Sequence, residues 1–193
     1  MTTLLLGLLI FHGIHLMPTG PGLRQSVRER FGANTYLIAF SLLSLVGLVL
    51  IAMGYGEARG LARANPQLWI PPTWTKHIAL TLMLPAMILL VAAYVPSRIR
   101  TAVGHPMLTS IKLWALAHLL VRGDLASLLL FGSFLAYGVY DRISVQRRVA
   151  LGPLGAKTGT ARGDIVVLAV GIAAYAFMLL WGHGALIGVK LIR

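Results

Sequence analysis

The sequence contains no cysteine. Disulfides, thiolate metal ligands and cysteine nucleophiles are therefore excluded from its chemistry. It is also poor in charge: Asp, Glu, Lys and Arg make up 11% of the 193 residues, against roughly 25% in an average soluble domain. With 58% hydrophobic residues and a mean hydropathy of +0.82, a water-soluble fold would have too little polar surface. The familiar catalytic signatures are missing too. Spacing assigns no Gly-rich phosphate loop, no His-Glu zinc-protease helix and no Ser-His-Asp arrangement, and there is no internal repeat.

What the chain does have is long apolar runs, uninterrupted rather than striped at helical spacing, as helices surrounded by lipid require. Four reach or approach the length of a span: Thr3 to Met17, Tyr36 to Met53, His77 to Val95 and Ile165 to Val189. Leu108 to Val121 and Leu125 to Tyr140 follow one another across Arg122-Gly123-Asp124 and are shorter, so they read either as two spans or as a re-entrant helical hairpin. The expected fold is all-α: a polytopic transmembrane bundle of about six helices, forming a single domain over residues 1–193. The amino terminus lacks the positive region of a secretory signal and reads as a retained first helix.

A net charge of +12 would point to nucleic acid in a soluble protein. Here the basic residues sit mainly between apolar runs, where they set orientation and meet the headgroups of membrane lipids, and no nucleic-acid partner is expected. With six spans, one side carries Arg24, Arg28, Arg30, Arg98, Arg100, Arg142, Arg147, Arg148, Lys157 and Arg162. The other carries Arg59, Arg63, Lys76, Arg122, Lys190 and Arg193. This bias places both termini outside the cytoplasm, on the periplasmic side of a bacterial inner membrane. Pro18, Gly20, Pro21 and Gly22 end the first helix, and Pro71, Pro72 and Pro96 bound the third. Trp69 and Trp74 suit an interfacial belt. Leu151 to Gly163, with Gly152, Pro153, Gly155 and Gly159, reads as an exposed cytoplasmic loop.

Ionisable side chains inside apolar runs are functional candidates because burying them is costly. Histidines dominate that set. His12 and His15 are three apart and share a helix face, and His118 sits deep in its segment. Neutral imidazole ligates iron, copper or zinc, and a helix bundle can hold a cofactor between histidines on facing helices. His15 and His118 lean towards ligation. His12 fits a ligand, a supporting partner or a packed polar residue equally well. For His77 and His183, near predicted interfaces, hydrogen bonding or headgroup contact is the better reading. His105 and His118 lie 13 positions apart, roughly 20 Å of helical rise and nearly opposite faces. They are not expected to share a metal, and His105, before Pro106, reads as a helix-start residue or a headgroup contact. In this topology His15 lies towards the cytoplasmic end of its helix and His118 towards the opposite end of its own, an offset that a broad haem bridges better than a single metal ion. Asp124 and Asp141 read as local charge pairs with Arg122 and Arg142, and Lys112 is expected to snorkel.

The stretch Gly104-His105-Pro106-Met107 through Leu113-Trp114-Ala115-Leu116-Ala117-His118-Leu119-Leu120, followed by Gly123-Asp124, resembles the NnrU family of bacterial membrane proteins. So does Gly13-Ile14-His15-Leu16-Met17-Pro18 with Leu23-Arg24, Phe31-Gly32 and Tyr36. The resemblance covers most of the chain up to Asp141. That family is related to plant and cyanobacterial zeta-carotene isomerase, whose haem b takes part in double-bond isomerisation. The resemblance implies haem b as cofactor, with His118 as one iron ligand and Trp114 beside it. The partner ligand would be the first-helix histidine, His15 or, given a gap in the alignment, His12. The isomerase has a cysteine three residues before the ligand histidine, where this chain has Ala115, so ligand exchange of that kind is not implied. NnrU proteins are associated with nitrite and nitric oxide metabolism, hence with denitrification.

Three expectations follow. The first is a haem-binding NnrU-type membrane protein serving nitrogen-oxide metabolism or a related redox or isomerisation step. The second is a membrane methyltransferase, because Gly104-His105-Pro106-Met107 faintly resembles the Arg-His-Pro signature of isoprenylcysteine methyltransferases, although the arginine and the downstream paired glutamates are missing. The third is a non-catalytic accessory factor in which the histidines only pack.

Overall fold

The computed structural model describes residues 1–60, 63–148, 155 and 158–192. Among these the chain is helical, as expected, with two isolated β-bridges and no strand. The helices are α1 (Thr2–Leu16), α2 (Pro21–Phe31), α3 (Ala33–Arg59), α4 (Thr75–Ala92), α5 (Arg98–Val103), α6 (Pro106–Leu119), α7 (Leu125–Arg147) and α8 (Ala161–Ile187), the last passing through a π-helical turn at Met178–Gly182. Five helices are long and apolar enough to cross a membrane: α1 with its 3₁₀ extension to Thr19, α3, α4, α7 and α8. The sixth expected span is α6, whose 14 residues rise about 21 Å. Large apolar side chains stand exposed along these helices, Leu9, Ile38, Leu45 and Ile165 among them, as a lipid-facing surface demands. The chain is an integral membrane protein.

It folds as two compact units. The first comprises residues 1–71 and 122–137, so it contains α1, α2, α3 and the first part of α7. Its central feature is the antiparallel pair α1 and α3. A Cβ built on Gly54 would strike the backbone of Leu4, one on Gly7 would lie 2.6 Å from the Ile51 nitrogen, and one on Gly47 would lie 2.9 Å from the Phe11 nitrogen. These contacts recur along one register, so three glycines let the backbones approach and no larger residue fits, which is how helices associate where lipid removes the hydrophobic drive. At the far end of α3 the loop before residue 71 is sewn to the start of α7. Leu68 donates its backbone N–H to the Gly123 carbonyl at 2.7 Å, and Leu125 donates to Pro66 at 3.1 Å.

The second unit comprises residues 72–121 and 138–193, which include α4, α5, α6, the last part of α7 and α8. Gly171 on α8 meets Ile88 on α4, where an added Cβ would lie 2.7 Å from the Ile88 Cα, and the Ser110 hydroxyl of α6 donates to the Ala86 carbonyl of α4 at 2.7 Å. Ser97 caps α5 by accepting from the Arg100 N–H, and Thr160 caps α8 by accepting from the Gly163 N–H. The expected loop is therefore shorter than Leu151 to Gly163. Gly163 lies inside the first turn of α8, buried against the Pro96 carbonyl, and Gly159 packs on Ser97. Thr160 starts a helix there because its side chain supplies the cap, a signal that the surrounding glycines mask. Within that stretch residues 151–154, 156 and 157, including Gly152, Pro153 and Lys157, lie outside the described residues, as does Arg193.

Candidate functional site

His12 and His15 belong to the first unit, and Trp114 and His118 to the second. In the first unit, the His15 ring stacks on Phe11 with centroids 4.1 Å apart and meets Phe40 at 5.1 Å. His15 Nδ1 lies 2.7 Å from the Phe11 carbonyl. A carbonyl only accepts, so Nδ1 carries the proton, and in the neutral ring Nε2 then carries the lone pair. His12 is held in a different way. Ser133 donates its single hydroxyl proton to the Leu130 carbonyl at 2.9 Å, so its oxygen accepts from His12 Nε2 at 3.2 Å. That fixes the His12 lone pair on Nδ1, which is buried and has no hydrogen-bond partner among the described residues. Phe11, Phe134 and Tyr137 surround the His12 ring with centroids 4.8 to 5.7 Å away. Tyr137 also donates its hydroxyl to the His15 carbonyl at 3.3 Å.

In the second unit, His118 repeats the His15 arrangement. Its Nδ1 lies 2.8 Å from the Trp114 carbonyl, one turn back on α6, and its ring meets the Trp114 ring at 5.3 Å. By the same reasoning its lone pair is on Nε2. A backbone carbonyl that fixes Nδ1–H is the support a metal-ligating imidazole commonly has, since it sets the tautomer and orients the ring. Ala115, three residues before His118, is fully buried.

The remaining histidines are His77, His105 and His183. His77 is exposed in the first turn of α4, and His183 Nδ1 bonds the Val189 carbonyl at 2.7 Å. His105 occupies the N-cap position of α6, but its side chain makes no capping bond. Instead its carbonyl accepts from the Thr109 N–H. Burial, and then the Arg142 guanidinium, hold its imidazole below the usual pKa of 6.5. Lys112 lays its stem over Gly138.

Of the two expected charge pairs, Asp124 and Arg122 form theirs at 3.3 Å. Asp141 pairs with Arg148 at 3.2 Å rather than with Arg142. Sequence neighbours on a helix point about 100° apart, whereas residues seven apart return to one face. Asp124 is the centre of a network that the sequence did not announce. It accepts from the Ser127 N–H and hydroxyl and from Asn65, and Ser127 in turn contacts Tyr55. Burial pushes the Asp124 carboxyl up, but these hydrogen bonds and Arg122 outweigh it and leave it below its ordinary range.

Among the described residues no three His, Asp or Glu side chains converge on a common point. A metal carried in a macrocycle would need only one or two imidazoles from the protein, and His15 in the first unit and His118 in the second each have the tautomer with the lone pair on Nε2. The sequence missed Ser133, Phe134 and Tyr137, which wrap His12. A serine and a tyrosine one turn apart within the apolar run Leu125 to Tyr140 are the signal that could have identified this face.

No curated protein and no solved structure matches this chain. A family model described as NnrU protein does, over residues 3–191 and so across both units. The chain belongs to the NnrU protein family.

Proposed function

We propose that this protein binds haem b, which His15 and His118 would hold as iron ligands, and that it serves nitrite and nitric oxide metabolism or a related redox or isomerisation step. The observation that carries the reading is the shared Nδ1–H to i−4 carbonyl bond of the two histidines, which places the lone pair of each neutral ring on Nε2. Bound haem would supply one-electron chemistry at its iron. The chain's own residues do the rest. Phe11 and Trp114 carbonyls hold the imidazole protons on Nδ1, Phe40 and Tyr137 pack the His15 ring, and Trp114 packs that of His118. His12, with its Nδ1 lone pair buried among aromatic rings, packs as a neutral ring next to His15.

Charge supports a bacterial inner-membrane setting with both termini periplasmic. In the second unit Arg98, Arg100, Arg142, Arg148 and Arg162 gather at one end, whereas in the first Arg24, Arg28 and Arg30 are balanced by Arg59, Arg63 and Arg122 at the opposite end. The arginine-rich end of the second unit therefore carries the bias, and such an end faces the cytoplasm.

The test is the absorption spectrum of protein purified in mild detergent after haem-supplemented expression, recorded oxidised and reduced. A Soret band with sharp reduced α and β bands is the expected result. A colourless, folded protein would remove the haem reading and favour the methyltransferase or accessory ones, which binding of S-adenosylmethionine by calorimetry separates.

A further inference from the structure

The segment joining α1 to α3 is more than a charged linker. α2 is an 11-residue helix in which no residue is buried. Because α1 and α3 are both long and apolar enough to cross the membrane, α2 between them lies at a membrane surface. Its residues are sorted for that position. Leu23, Val27 and Phe31 fall at i, i+4 and i+8, one stripe covering about 80° of the helix circumference. Leu23 is 58% exposed and Phe31 57%, so the protein itself leaves most of this stripe uncovered. Arg24 and Arg28 border the stripe on one side and Arg30 on the other, with the Arg30 guanidinium 5.4 Å from the Phe31 ring. Gln25 and Glu29, bonded to each other at 2.7 Å, occupy the opposite face. None of the three arginines forms an ion pair with a described residue.

We infer that α2 lies in the plane of the membrane interface and is a docking site for anionic phospholipid, with Leu23, Val27 and Phe31 dipped among the acyl chains and Arg24, Arg28 and Arg30 on the headgroup phosphates. An apolar stripe edged by guanidinium groups matches the boundary between hydrocarbon and headgroups, and the polar face bearing Glu29 matches water. Three arginines against one acidic residue select a negatively charged leaflet over a zwitterionic one. α2 packs on the 3₁₀ turn Met17–Thr19 that ends α1, so lipid held there also restrains the end of α1 that carries His15. The inference rests on membrane insertion alone and is independent of haem.

The chain lacks cysteine, so a single introduced one gives a unique label. Full-length Leu23→Cys and Gln25→Cys variants, each carrying a fluorophore, would be reconstituted in vesicles of phosphatidylcholine containing a minor fraction of nitroxide-labelled phosphatidylglycerol or nitroxide-labelled phosphatidylcholine. The label at position 23 is expected to be shielded from aqueous iodide and quenched about fivefold more strongly by the phosphatidylglycerol probe, the preference that roughly one well-placed basic residue provides. The label at position 25 is expected to be open to iodide. In Leu23→Cys protein that also carries Arg24→Gln, Arg28→Gln and Arg30→Gln, the preference should fall to near unity while the shielding remains. Free inorganic phosphate should compete poorly. Equal quenching by the two lipid probes in the parent variant, or equal iodide access at positions 23 and 25, would overturn the assignment, and neither readout depends on the triple substitution folding.

Discussion

The imidazoles of His15 and His118 are oriented by their own helices: each Nδ1–H is tied to the carbonyl four residues earlier. The sequence displayed both histidines, and it displayed the proximity of His12 to His15, but it could not display tautomers, because these depend on which oxygen each ring meets. The same limit applied to the acids. Arg122 next to Asp124 was legible, whereas Asn65, Ser127 and Tyr55 were not, since the chain must fold before they meet. Asp124 is buried, 7% exposed, and holds the start of α7 and the preceding loop together. Asp124→Ala should therefore lower stability by about 2–3 kcal/mol, and Ser127→Ala by about 1 kcal/mol, read as the melting temperature in detergent. Because folding depresses the Asp124 pKa below 3.8, its contribution should be complete above that pH and be lost as the pH falls towards the folded value. His105 acts in the opposite range. Its folded pKa is lowered from 6.5, so stability should decline as the pH drops from 6.5 towards the folded value, and a His105→Gln variant should show a flatter melting-temperature profile there.

At the level of elements, apolar runs located the spans well because a helix in lipid must be apolar over its whole length. The break at Arg122-Gly123-Asp124 falls between α6 and α7 as expected. α2 and α5 escaped notice because both lie in arginine-rich connections, where length and hydropathy carry no signal and only local marks remain: Pro21 at the first turn of α2, and Ser97 capping α5. The α1–α3 pairing was equally hidden, although its glycines were in view. Gly54→Val should break the contact with Leu4 and cost about 1–3 kcal/mol. Gly56→Ala, where an added Cβ meets nothing within 4 Å, should leave the melting temperature unchanged. Equal melting temperatures for the two variants would show that α1 and α3 do not pack through this register.

For the whole molecule, the segregation of arginines makes orientation testable one residue at a time. In the cysteine-free chain, Ser26→Cys on α2 should react with a membrane-impermeant maleimide only after cells are permeabilised, and Thr73→Cys, at the opposite side of α3, should react in intact cells. The reverse pattern would invert the proposed topology. The distribution of chemistry over the chain is sparse: an integral membrane protein of the NnrU family with histidines on α1 and α6 and no cage of three ligating side chains among the described residues. The measurement that bears most directly on the haem proposal is haem per protein in His118→Ala and His15→Ala, each purified alongside the unaltered protein and checked for membrane insertion. The account predicts that His118→Ala inserts normally and loses most of its haem, and that His15→Ala loses haem or changes from a six-coordinate to a five-coordinate spectrum; full haem content with an unchanged spectrum in both variants would contradict it.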